Sequence, residues 1–88
     1  MSGVEVHGRD VVRGAWRVSV DGPEGPIHGL VPETLIGAPA LPGMPRHQVA
    51  YDWLARNRAR IERALRAKQA GRPARAPFDR VEIAGGAR

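Results

Sequence analysis

The sequence predicts an α+β fold, a small antiparallel sheet of three or four strands packed by one long amphipathic helix in the C-terminal half. Three observations lead there. From Ala15 the residues alternate, with Trp16, Val18 and Val20 on one side and Arg17 and Ser19 on the other, the period-2 pattern of a half-buried strand. The stretch "DGPEGP" at 21–26 then gathers turn formers ahead of a second β-like run, "IHGLV" at 27–31, which makes a hairpin with a loop of several residues. Finally, "RHQVAYDWLARNRARIERALRAKQAG" at 46–71 repeats apolar residues at helical spacing.

The remaining elements follow in chain order. "VEV" at 4–6 alternates, and Val11 and Val12 extend the Ala15 strand backward with a bulge or bend at Gly14. "PETLIG" at 32–37 opens with proline and glutamate and closes with glycine, which predicts one or two helical turns. "APALPGMP" at 38–45 has a proline every three residues, which excludes regular helix and central strand and leaves a crossing loop. Pro45 suits the first helical position, while Gly71 and Pro73 supply a left-handed cap and a stop. In "APFDRVEIAGG" the run "RVEI" reads as a short last strand returning to the sheet. With 88 residues the chain makes one small domain, placed at 1–84 with a frayed tail at 85–88.

At about 100° per residue, with Ile61 at the centre, the helix gathers Ala50, Leu54, Asn57, Ala64, Leu65 and the stem of Lys68 into a core stripe. Asn57 is polar on that stripe, and a buried amide must be paired. It either caps a backbone group of the neighbouring short helix or loop, or faces a partner. Val49, Tyr51 and Trp53 widen the apolar arc of the helix's first half to about 200°, against about 100° in its second half. Something covers that end. The 31–44 segment folding back is one cover and a second chain the other; a monomer is the leading expectation, with a homodimer through Tyr51 and Trp53 as the alternative.

Taken together, the strand, the glycine-bearing turn, the second strand, "PETL", the helix "YDWLARNRARIERALRAKQAG" and the last strand "FDRVEI" resemble a family of short proteobacterial proteins known only as a domain of unknown function. The resemblance covers about residues 15–84. It implies antiparallel strands packed by one helix and carries over no activity, cofactor or catalytic residue. The proline-rich 38–45 segment departs from the pattern.

Little in the chain suggests catalysis. There is no cysteine, hence no disulfide framework and no thiolate metal site. His7, His28 and His47 lie in or beside three different elements without a short-range ligand spacing. Ser2, Ser19 and Thr34 stand in no nucleophile elbow, and "GPEGP" loses backbone donors to two prolines and has no lysine after it, so it does not read as a phosphate loop. The expectation is a protein that is not an enzyme, with no catalytic, cofactor or metal residues. "MSGVEVHGRDVV" contains no apolar run resembling a signal peptide and no segment reaches the length of a membrane span, so a cytoplasmic protein without membrane contact is expected.

Charge is where the sequence is most distinctive. The net charge is +5, yet between Arg56 and Arg75 eight basic residues meet one acid, Glu62, so that this stretch carries +7 and the rest of the chain −2. Asp52 precedes Arg56, and Glu62 precedes Arg66, by four residues in the favourable orientation. Arg60, Arg63, Arg72 and Arg75 have no such neighbour. The candidate partner-binding residues are therefore Arg56, Arg60, Arg63, Arg66, Arg72 and Arg75. They predict a small binding or accessory module that contacts an acidic protein partner. The alternatives are a nonspecific RNA- or DNA-binding protein that grips the nucleic-acid backbone, a small phage-type inhibitor of a nucleic-acid-handling complex, or a merely solvated helix face. No aromatic residue is interleaved with these arginines, so stacking on single strands is not expected.

Overall fold

The alternation from Ala15 onward does what its period requires: Trp16, Val18 and Val20 are buried on one face of a sheet, and the helical stripe lies across that face. The computed structural model describes residues 3–37 and 42–84. Strands β1 (Glu5–Asp10), β2 (Ala15–Gly22), β3 (Gly25–Pro32) and β4 (Glu82–Ile83) form one antiparallel sheet in the order β1-β2-β3-β4. Helices α1 (Arg46–Arg56) and α2 (Arg58–Gln69) follow β3, and 3-10 turns stand at Glu33–Leu35 and Phe78–Arg80. The expected α+β class is what the structure has. Of the proline-rich crossing, residues 38–41 lie outside the described residues, as does the 85–88 tail.

Both hairpins differ from their sequence reading. The 21–26 loop shrinks to Pro23 and Glu24, because Gly22 pairs directly with Gly25, whose φ of 115° favours glycine. Val11 and Val12 do not extend β2. They sit at the tip of the β1–β2 turn, 73% and 96% exposed, and the bulge falls at His7, where the register shifts between Val6 and Gly8. Asp10 holds this turn by accepting the Arg13 backbone N–H at 3.1 Å and its guanidinium at 3.2 Å. The Arg13 backbone N–H foremost, and then the nearby guanidinium charge, keep the Asp10 carboxyl below the ordinary carboxylate range.

The long helix is two helices. Asn57 stands between them at φ −107° and ψ 15°, and its side-chain Nδ2 donates to the Trp53 carbonyl at 2.9 Å, beside its own backbone N–H at 3.0 Å. A short amide that bonds back to the carbonyl four residues earlier bends a helix, and here the adjoining Ala55 carbonyl accepts from Arg58 Nη1 instead. The partner of Asn57 is thus its own preceding turn, not the short helix or a loop. Helix α1 opens one residue later than predicted, with Pro45 as its cap and the Pro45 carbonyl accepting from Val49. Helix α2 ends as predicted. Gly71 takes φ 77°, its N–H reaches the Lys68 carbonyl at 3.0 Å, and the Arg72 N–H reaches the Ala67 carbonyl at 2.8 Å, the paired bonds of a Schellman cap.

Across the break the stripe remains continuous. Ala50, Leu54, Ile61, Ala64 and Leu65 are buried in one cluster with Val18, Val31, Phe78 and Val81. The predicted last strand contributes only Glu82 and Ile83, since Phe78–Arg80 coil into a 3-10 turn that drives Phe78 into the core. Phe78 stacks on Trp53 with centroids 6.0 Å apart, and Gly37 comes up beside the indole. Leu35 and Ile36 also pack on the core. Of the wide apolar arc of α1, Trp53 is covered within the chain, by Gly37 from the expected 31–44 segment and by Phe78, while Tyr51 packs edge-on to Trp16 at 5.3 Å and stays 45% exposed.

Helix α2 lies so close to β3 that Gly29 has no room for a side chain. A Cβ there would collide with Leu65 Cδ2 and sit 3.1 Å from the Glu82 carbonyl oxygen. Gly29→Ala is expected to destabilise the domain by about 1–3 kcal/mol, the usual cost of overpacking, and to lower the melting temperature in calorimetry. An unchanged melt would mean that α2 stands further off the sheet.

Candidate binding groove

The Schellman cap turns the chain sharply off α2, and the prolines that follow keep it from continuing as helix. Residues 72–77 then run back beside α2 until Phe78 plugs into the core. Between helix and loop lies an open groove of about 700 Å³. Arg60, Arg63 and Arg66 line it from the helix, and Arg72 and Arg75 from the loop. Its apolar part comes from Ala64, Ala67, Pro73, Pro77 and the edge of Phe78, and among the described residues no acidic one lines it.

The six sequence candidates divide by their use within the chain. Arg56 is outside the groove lining and pairs with Asp52. Arg66 lies in the groove with its charge already matched: it pairs with Glu62 at 2.8 Å and donates to the Asp21 carbonyl at 2.9 Å, tying α2 to the β2–β3 hairpin. Arg60, Arg63, Arg72 and Arg75 are exposed and have no ion pair or side-chain hydrogen bond among the described residues. The groove brings these four together from two elements. Outside it, other cations serve the fold, with Lys68 donating to the Asp79 carbonyl, Arg80 to Thr34 Oγ1 at 3.0 Å, and Arg9 to Glu33 at 2.6 Å.

Four guanidiniums around an apolar floor have the chemistry to hold carboxylates or phosphates, since each planar fork can donate two hydrogen bonds to such a group. Phe78 gives no stacking platform for a base, being 7% exposed and already against Trp53. The sequence reading places the contact surface on the 60–75 helix end and the following loop, and Arg72 and Arg75 do line the groove; that the loop folds back as a second wall is what the sequence does not show.

The histidines fall elsewhere. His7 and His28 lie on the sheet face away from the helices, ring centroids 5.8 Å apart, and His7 Nε2 is hydrogen-bonded to Ser19 Oγ at 2.7 Å. His47 is exposed in the first turn of α1. Among the described residues no three His, Cys, Asp or Glu side chains are grouped to hold a metal ion, and no helix is long and apolar enough to cross a membrane. Comparison with protein-family models, curated proteins and solved structures finds no match to this chain, so the functional reading rests on the groove itself.

Proposed function

We propose that the protein is a non-enzymatic binding module that holds an acidic segment of a protein partner in the groove between α2 and the 72–78 loop. One observation carries this reading: four arginines that have no internal partner among the described residues line one groove to which those residues contribute no acid. The shape favours a peptide over a duplex. The cations line a groove between a helix and a loop rather than one continuous face, an arrangement that suits an extended chain. The Ala and Pro floor suits the methylene stems of acidic side chains, and the lack of an available aromatic face disfavours single strands.

The wild-type protein decides between the two partners. Fluorescence anisotropy with a labelled Glu/Asp-rich peptide should give saturable binding near physiological salt. A labelled duplex and a single strand should bind only at low salt, with a log–log slope no steeper than about −3.6 if four phosphates were engaged on a duplex. Tighter binding of either nucleic acid than of the peptide at physiological salt would replace this reading with the backbone-binding alternative.

A further inference from the structure

We infer that the acidic partner segment carries an uncharged apolar side chain next to its acidic run, seated in a second depression that adjoins the groove; the inference rests on the peptide reading above. This depression, about 450 Å³, lies between the β2–β3 turn and the last turn of α2. Pro23, Pro26 and Ile27 form its sheet side, Gln69 and Ala70 its helix side. Arg66 borders both it and the cationic groove, so one extended chain crossing Arg66 occupies both.

The two halves select different chemistry. On the groove side the four unpartnered arginines attract carboxylates. On the far side the lining adds Pro23, Pro26, Ile27 and Ala70 beside Gln69, and beyond Arg66 its one charge is Glu24, which repels a carboxylate there. Arg66 cannot extend the cationic strip across, because Glu62 and the Asp21 carbonyl already hold its guanidinium. Charge preference therefore ends at Arg66, and an apolar residue follows the acidic run. A volume of about 450 Å³ falls within the range of small-ligand sites, enough for one large aliphatic or aromatic side chain.

The test compares peptides on the full chain by isothermal titration calorimetry: one Glu/Asp-rich sequence ending in alanine, the same sequence with leucine at either end, and the same with glutamate at those ends. One leucine-ended peptide should bind about tenfold tighter than its alanine counterpart, and the glutamate-ended one no better than alanine. Ala70→Gln, an exposed helix-end change that puts a polar side chain into the depression, should remove the leucine advantage and leave the alanine-ended affinity unchanged. Equal affinity for leucine and alanine at both ends would overturn the inference while leaving the acidic-segment reading in place. Failure of every acidic peptide to bind would overturn both.

Discussion

Ile61→Asp is expected to abolish cooperative unfolding. Ile61 is fully buried at the centre of the helix stripe, in a cluster shared with Val18, Val31, Leu65 and Val81. Truncation alone, as Ile61→Ala, should cost about 2–5 kcal/mol, against a total stability of about 5–15 kcal/mol for a domain. Aspartate removes the same apolar carbons and sets a carboxylate among the side chains of an apolar cluster, so the charge must either draw water into the core or be protonated. Circular dichroism should show a shallow, non-cooperative melt, and Trp16 and Trp53 fluorescence should shift to that of solvated indole. A sharp transition near wild type would mean that a different face of α2 meets the sheet.

The second large effect is on binding. Reversing Arg60, Arg63, Arg72 and Arg75 together to glutamate takes the net charge from +5 to −3, because each substitution changes it by two. The fold should survive, since none of the four has an internal partner among the described residues. If each arginine contributes about 0.5–1 kcal/mol to an acidic ligand, as solvent-exposed ion pairs do at their upper end, their removal costs about 2–4 kcal/mol before repulsion is counted. Acidic-peptide binding should therefore vanish at any practical concentration. Arg56→Glu is the control: it changes charge at the end of α1, outside the groove, and should leave affinity nearly unchanged. Retained binding by the reversed protein would reduce "LARNRARIERALRAK" to the solvated side of a structural helix.

What the sequence disclosed and what it hid follow from the range of the interactions involved. The faces of β2 and α2 were legible because burial imposes a period, and Val18, Ile61 and Leu65 obey it. The break at Asn57 was hidden because the apolar stripe runs straight through it; what marks it are side-chain bonds to backbone, from the Asn57 amide to the Trp53 carbonyl and from Arg58 to the Ala55 carbonyl. Val11 and Val12 read as strand because valine favours strands, yet the tight β1–β2 turn held by Asp10 claims them first. For the groove, elimination of paired arginines identified Arg60, Arg63, Arg72 and Arg75 from sequence alone. Their convergence was not legible, since it depends on Phe78 reaching Trp53, a contact between residues far apart in the chain.

The loop wall of the groove is tethered at both ends. Paired backbone bonds at Gly71 and Arg72 fix its start, and bonds from Phe78 to the Arg75 carbonyl and from Lys68 to the Asp79 carbonyl fix its finish, with Phe78 itself in the core. A wall held this way is ordered before a ligand arrives, so binding loses little chain entropy in shaping the site, and weak contacts suffice for useful affinity. It also joins occupancy to folding. The Phe78–Trp53 stack links the recognition loop to α1, so the loop keeps its shape only while the core is intact, and the unfolded chain has no groove to offer. A partner held as proposed would shift the folding equilibrium toward the native state by mass action. For so small a domain such a partner would become part of what keeps it folded.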